Sequence, residues 1–450
     1  MAVGKVVILD GTRSDDRDLA AALDVLTDVM ERNAAEVQTF TLRNIQLGRC
    51  IGCFGCWLET PGTCIQHNAV NDVARAIIRS DMTVLFTPVT FGGYSSELKR
   101  MMDRFIQFAL PYFGRYHGET HHLPRYSRFP KLVAVGVQRH PNPDEASVFK
   151  GIVGRNAINF HAPGHAAEVV LSTDDGDTLR RRFQSLLERV DPLPWRGALR
   201  SFTPAPAKPA AGAALGGTRR ALLIMGSPRT KNPSTSRVLG SWLLNRLKEG
   251  GWETETLTLK ASLRREAGQA ELCSAVDLAD LLVLVFPLYI DTLPFLVTKA
   301  LEVIAAHRRG TPAARPQRLA VVCNSGFPES DQNAAAVAIC HQFATQTGMT
   351  WTGSLAIGGG AGLGGQSLTA TGYPGVKCVI RALDLTAAVL AEGQPVPQEA
   401  VTLMTRSPIP VIPFAIWCWL YGRVGGQRMQ RQAIENGVSK NALLARPHAA

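Results

Sequence analysis

Apolar residues in this chain recur in two alternating rhythms. Short β-branched runs end in a polar turn, and after each turn apolar residues return three or four positions apart. KVVILD (5–10) ends at Gly11-Thr12-Arg13, and Leu19, Leu23, Leu26 and Met30 follow at helical spacing. RALLIM (220–225) ends at Gly226-Ser227-Pro228-Arg229, with Leu239, Leu243 and Leu247 beyond it. The parallel continues. MTVLFT (82–87) stops at Pro88 before the helical pattern SSELKRMMDRFI, and LLVLVF (281–286) stops at Pro287 before FLVTKALEVI. A third run closes each unit, KLVAVGV (131–137) and RLAVVCN (318–324). Continuous apolar runs alternating with helices predict βαβ units, and so parallel sheets covered on both faces. The expected fold class is α/β, with two open doubly wound parallel-sheet domains in tandem. Residues 1–190 form the first domain, 191–218 a Pro/Ala-rich linker and 219–395 the second domain. Residues 396–450 form a C-terminal tail with an apolar aromatic segment. Ligands of such sheets sit beyond the carboxyl ends of the strands. The loops after residues 10, 87, 137, 225, 286 and 324 are therefore where chemistry is expected.

Composition narrows the partners. The 450 residues are 46% apolar and 19% charged, which suits a globular chain with two cores. The net charge of +11 favours an anionic ligand. The basic residues are scattered, without the aromatic-interleaved stripe of a nucleic-acid surface, so no nucleic-acid partner is expected. Phosphorylated cofactors are enough to use that charge. MAVGKVVILDGTR lacks the pattern of a signal peptide or anchor, which points to the cytoplasm, where clustered cysteines suggest metal or redox work.

GSPRTKNPSTSRVLG (226–240) joins a strand to a helix and carries five hydroxyl side chains with Arg229 and Lys231. A terminal phosphate needs several donors converging on three oxygens, and a helix start with hydroxyls and a guanidinium supplies them. The loop has neither dinucleotide-fingerprint nor Walker glycine spacing. The structural alternative is a Ser/Pro turn with Ser234 or Thr235 as N-cap. VFPLYIDTLP (285–294) puts Pro287, Leu288 and Tyr289 past the next strand, where an aromatic side chain can stack on a flat ring. Asn324-Ser325-Gly326 ends the third strand with small polar residues.

The order GSPR…S-T-S, FPLY and a polar loop after the third strand resembles the flavodoxin-like NADPH-dependent FMN reductases and quinone reductases, over about residues 219–345. The resemblance implies two flavodoxin-like domains. It implies that Ser227, Arg229, Ser234, Thr235 and Ser236 hold the FMN phosphate. By the same resemblance, Pro287, Leu288, Tyr289, Asn324, Ser325 and Gly326 surround the ring, and NAD(P)H is the electron donor. IGGGAGLGG (357–365) also follows a strand, either as a lid over the site or as a flexible glycine loop. FTPVTFGGYSSELKRMMDRF (86–105) is similar to the family's ring-binding loop and the helix after it, with Pro88, Phe91 and Tyr94 toward the site. Asp103-Arg104 reads as a structural ion pair. The first loop of this domain, DGTRSDDRDLA (10–20), places Asp15, Asp16 and Asp18 where a phosphate would sit, though Thr12, Arg13 and Ser14 keep binding possible. Each like-charge contact at about 4 Å costs on the order of 1–4 kcal/mol, so phosphate is not expected there.

CIGCFGCWLETPGTC (50–64) spaces four cysteines C-x2-C-x2-C-x7-C. Zinc sites usually pair two separated C-x2-C units, so a triple repeat favours an iron–sulfur cluster, with zinc or redox-active, buried or vestigial thiols as the alternatives. The layout resembles the iron–sulfur flavoproteins of the same superfamily. That resemblance implies Cys50, Cys53, Cys56 and Cys64 as ligands of a [4Fe-4S] cluster. It also implies a homo-oligomer with flavin at a subunit interface, which a fused pseudo-dimer with one flavin and one cluster would mimic. The function expected is an FMN-dependent NAD(P)H oxidoreductase serving a small-molecule acceptor or a redox partner protein. The alternatives are an electron-transfer flavoprotein for a partner enzyme, or a non-catalytic thiol sensor.

Two segments stand apart. YHGETHHLPRY (116–126) carries three histidines and reads as a polar surface loop at a dimer contact, with a metal site or a cap over the flavin pocket as alternatives. SPIPVIPFAIWCWLYGRVGG (407–426) is too short to span a bilayer; packing on protein is favoured over membrane contact through 407–424. Cys273, Cys323, Cys340 and Cys378 lie in apolar contexts and read as core.

Overall fold

The computed structural model describes residues 3–66, 69–190, 219–229, 234–371, 375–406 and 414–449. The expected linker, 191–218, lies outside the described residues. Strands β1 (Val3–Asp10), β2 (Ala34–Thr41) and β3 (Met82–Pro88) are followed by β4 (Ala109–Tyr116), β5 (Glu119–Pro124), β6 (Lys131–Gln138) and β7 (His165–Leu171). The second half supplies β8 (Arg220–Met225), β9 (Glu253–Thr258), β10 (Leu281–Pro287), β11 (Arg318–Asn324) and β12 (Thr350–Ile357).

Two five-stranded sheets form, ordered β2-β1-β3-β6-β7 and β9-β8-β10-β11-β12, and every neighbouring pair within them is parallel. Both are flavodoxin-like open doubly wound sheets, and in each the order reverses beside the first strand. In the first sheet Val6, Ile8, Val84 and Val133 pack against Leu26, Met30 and Phe183 from helices Ala20–Asn33 and Gly176–Glu188. In the second, Leu223, Val283 and Val322 pack against Leu239, Leu243 and Leu383 from helices Thr235–Glu249 and Val376–Ala391. β4 and β5 form a separate antiparallel hairpin.

The two compact units do not follow the expected boundaries at the C-terminus. Helix Gln398–Thr405, assigned to the tail by sequence, buries Ala400 and Met404 in the core of the second unit. The described residues from 414 onward cluster with the first unit instead. Among the described residues no helix is long and apolar enough to cross a membrane.

The strand ends where the sheet order reverses are held alike in both units. Gly11 N–H donates to the Phe86 carbonyl at 2.8 Å, and Gly226 N–H to the Val285 carbonyl at 2.8 Å. Neither glycine has room for a methyl. A Cβ on Gly11 would stand 2.6 Å from Leu98 Cβ, and one on Gly226 would meet Val297 Cγ2 and lie 2.9 Å from Phe286 Cβ. Overpacking of this kind costs about 1–3 kcal/mol. Gly11→Ala and Gly226→Ala should each lower unfolding free energy by about that amount in urea titrations. An unchanged midpoint for either would show that the loop shifts freely.

Candidate functional site

On the second unit, the loops after β8, β10, β11 and β12 meet at one edge of the sheet. Ser234 N-caps helix Thr235–Glu249, its hydroxyl accepting from Arg237 N–H at 3.2 Å. This is the capping role the sequence offered as the structural alternative. Thr235 Oγ1 donates to the Gly360 carbonyl at 2.8 Å, and Ser236 Oγ accepts from Asn324 Nδ2 at 2.8 Å. Leu288 N–H donates to the Asn324 carbonyl at 2.8 Å, and Ser325 N–H to the Ile357 carbonyl at 3.0 Å. The glycine loop after β12 is thereby drawn in beside the others, with Gly359, Gly364 and Gly365 at positive φ. Ser227, Asn324 and Ser325 are buried, Arg229 is exposed, and Pro287, Leu288 and Tyr289 are half-buried. Gly326 is exposed and a side chain there would meet nothing. Residues 230–233, with Lys231, lie outside the described residues. The edge thus combines a helix start, hydroxyls and a half-open turn.

The equivalent edge of the first unit is filled from within. Asp10 accepts from Thr12 N–H at 2.9 Å and Arg43 Nη1 at 2.9 Å. Asp16, buried, accepts from Arg13 N–H at 2.8 Å, Arg13 Nε and Nη2 at 3.0 Å each, and Arg139 Nη2 at 2.8 Å. Asp18 pairs with Arg139 at 2.7 Å at the rim, and Asp15 is exposed. Burial opposes the Asp16 charge, but Arg13 and Arg139 outweigh it and hold its carboxyl below the usual range. The obstacle to phosphate here is therefore different from the repulsion expected: a carboxylate already occupies the donors. The second loop is closed as well. The Thr90–Gly93 turn repeats the Tyr289–Thr292 turn, yet Phe91 and Tyr94 are buried and Gly92 N–H donates to Glu145 Oε1 at 3.0 Å. Lys99 pairs with Asp103 at 2.8 Å with both side chains buried, so this acid is held by the residue a helical turn before it rather than by Arg104 alone.

The cysteine loop follows β2. Gly52 (φ 65°) and Phe54 (φ 57°) take left-handed conformations that fold the chain around Cys53, and helix Gly55–Leu58 carries Cys56. Gly55 N–H lies 3.4 Å from Cys53 Sγ. Cys64 is fixed by Asn71, whose Oδ1 accepts from Cys64 N–H at 2.9 Å and whose Nδ2 donates to its carbonyl at 3.2 Å. Burial pushes the Cys50 thiol up to about 12 and raises Cys56 further, with the neighbouring cysteines adding to the effect. All four thiols are free, and the other three are within electrostatic reach of Cys56. Among the described residues no three His, Cys, Asp or Glu side chains close on a single ion. The four cysteines chosen by spacing thus lie along one loop and its short helix without closing into a metal-holding group. His67 and Asn68 lie outside the described residues.

Residues 4–119 match the family model described as NADPH-dependent FMN reductase. Over that stretch the first domain is similar to the FMN reductases. An iron-sulfur flavoprotein of Methanocaldococcus jannaschii is 28% identical over 100 residues, covering 22% of this chain and 51% of that protein. An iron-sulfur flavoprotein of Archaeoglobus fulgidus is 24% identical over 86 residues, covering 19% of this chain and 38% of that protein. The chain thus spans about half the length, or less, of these curated relatives. An NAD(P)H:quinone oxidoreductase from Methanothermobacter marburgensis aligns structurally at 15% identity and a TM-score of 0.31, covering 39% of this chain and 96% of that one. The family match falls on the domain with the cysteines, whereas the phosphate-type loop lies on the other.

In the first domain the histidine segment is not a surface loop. Glu119 and His121 are buried, and Arg155 bonds both Glu119 oxygens, at 2.7 and 2.5 Å. The His122 ring packs between Trp57 and Phe113, with centroids at 4.8 and 4.7 Å. The sequence offers no local sign of this burial, because Arg155 comes from a distant helix. Burial opposes the Glu119 charge, but bonding to His121 and the charge of Arg155 outweigh it and bring its pKa from 4.5 to about 2. A depressed carboxyl adds stability that is complete above its unfolded pKa and is lost as pH falls through the folded one. Urea midpoints should therefore fall between pH 4.5 and about 2. Glu119→Gln should flatten that limb and cost about 3–5 kcal/mol at neutral pH by breaking the buried ion pair with Arg155. An identical acid limb in the variant would contradict the assignment.

Proposed function

We propose that the chain is an FMN-dependent NAD(P)H oxidoreductase, with flavin on the second domain and a [4Fe-4S] cluster on the cysteines of the first. One observation carries this division. The phosphate-type loop of the second domain contains no acidic residue, and the turn beyond it is half open. The matching positions of the first domain are taken by Asp16 and Glu145.

Ser227, Arg229, Ser234, Thr235 and Ser236 hold the phosphate in this reading, using the start of helix Thr235–Glu249 and one guanidinium. Ser236 is itself positioned by Asn324, which ties the phosphate end to the ring end. Pro287, Leu288, Tyr289, Asn324, Ser325 and Gly326 border the ring, and the half-buried surface of 287–289 leaves one side open to substrates. Cys50, Cys53, Cys56 and Cys64 hold the cluster. When bound, FMN takes a hydride from nicotinamide and gives up electrons singly, and a cluster carries one at a time. The acceptor is a small molecule or a redox partner protein, and the free thiols suit a reducing cytoplasm.

Anaerobically purified protein should retain one flavin per chain by absorbance, bleached by NADPH. Arg229→Ala should lose at least tenfold in flavin affinity, since a charge-assisted phosphate contact contributes on the order of 1.5–3 kcal/mol. Two flavins per chain, or undiminished binding in the variant, would refute the division of labour.

A further inference from the structure

Asn324 ends β11 and is 7% exposed, so its amide has to find its partners inside the protein. Its Nδ2 donates to the Phe286 carbonyl at 3.1 Å and to Ser236 Oγ at 2.8 Å. The first bond decides the second. A backbone carbonyl can only accept, so the end of the amide that faces Phe286 must be the nitrogen. Both amide protons are then engaged, and Ser236 Oγ is the acceptor of the pair. Gly360 lies against the same side chain, and even a methyl there would stand 3.0 Å from Asn324 Cβ.

The hydroxyls at the helix start differ in where their protons go. Thr235 gives its proton to the Gly360 carbonyl at 2.8 Å, which leaves only its N–H for a ligand. Ser236, 1% exposed, accepts from Asn324 and has no acceptor for its own proton among the described residues. Ser227, 4% exposed, makes no side-chain hydrogen bond among the described residues. The N–H groups of Thr235 and Ser236 open the helix, where no carbonyl of an earlier turn can reach them. Buried hydroxyl protons and N–H groups thus stand unengaged together at one helix end, and residues 226–240 hold no carboxylate to accept from them.

A buried donor without an acceptor is costly, so this arrangement calls for an anion. We propose that Asn324 is a positioning residue: by donating to Ser236 it keeps the Ser236 proton for the ligand, and it makes this edge selective for a doubly ionised phosphate monoester. The proposal rests on the flavin reading above. The terminal oxygens of the dianion only accept, so each matches a donor. The singly ionised form carries a P–OH proton, which would face N–H groups that cannot receive it.

The charged and titratable side chains near this edge do not imitate that selectivity. Arg229, Lys231 and Arg237 lie on its own loop and helix, Tyr289 and Asp291 on the turn after β10, and Glu329 and Asp331 after β11. Helix Phe295–Gly310, whose Val297 packs on Gly226, adds Lys299 and Glu302, paired at 3.8 Å. Its His307 lies at the far end, bonded to Asp277. No histidine occurs in residues 226–240, 285–294, 324–333 or 357–365, so the group titrating near about pH 6 is the ligand's own phosphate.

The test is fluorescence titration of the full chain with FMN, and with riboflavin, which lacks the phosphate. Wild-type affinity for FMN should fall roughly tenfold between about pH 7.5 and about pH 5, as the dianion becomes the minor form, while riboflavin affinity stays level. Asn324→Asp puts an acceptor where the amide donates, so Ser236 turns its proton away from the ligand. Its FMN affinity at neutral pH should drop at least about tenfold, and the fall toward low pH should vanish or invert. Riboflavin binding should persist. A purely structural role for Asn324 would weaken both ligands alike and leave the pH profile unchanged. Ser236→Ala, readable if Asn324→Asp does not fold, should lose roughly tenfold for FMN and nothing for riboflavin. Undiminished FMN binding in Ser236→Ala, a wild-type pH profile in Asn324→Asp, or a wild type whose FMN affinity ignores pH would overturn the inference and leave the flavin reading intact. A chain that does not bind FMN would overturn both.

Discussion

Parallel pairing governs everything functional in this molecule. When all strands of a sheet run one way, their carboxyl ends gather on one edge, and every connecting loop must leave from there. The reversal of order beside β1 and β8 opens a gap on that edge, and the glycines at 11 and 226 close the chain tightly enough for neighbouring loops to meet. Two copies of this frame give two candidate sites, and side-chain chemistry then makes them unlike.

The difference between the copies is one of occupancy. Arginines surround the first loop as well, but Asp16 consumes the donors of Arg13 and Arg139, while Glu145 takes the N–H of Gly92. The second domain has hydroxyls that tie its loops together and a turn that stays half open. In one copy internal carboxylates take the loop donors, and in the other the corresponding loop carries hydroxyls and no acidic residue.

Local patterns made much of this legible. Apolar β-branched runs located six of the ten parallel strands and the loops at their ends, and the cysteine spacing marked the thiol loop. Ser234 as a helix cap could also be read directly, since capping depends only on residues three positions apart. Contacts between remote segments could not be read. Arg139 reaches Asp16 from the end of β6, Arg155 reaches Glu119 from the helix after it, and Leu443 returns to Arg125 across most of the chain. No periodicity encodes such meetings, because each is set by packing after the sheet has formed. For the same reason the histidine segment looks like a polar loop in sequence and is a partly buried hairpin in the fold, and the aromatic tail gives no local sign that it belongs with the first domain.

The central claim is that the anion-binding edge is open in the second domain and shut in the first. A crystal structure of the anaerobically purified chain soaked with FMN tests it most directly. The account predicts phosphate density at Gly226–Ser236, with Asp16 still bound to Arg13 and Arg139. Phosphate density at residues 11–18 with Asp16 displaced, and none on the second domain, would contradict it.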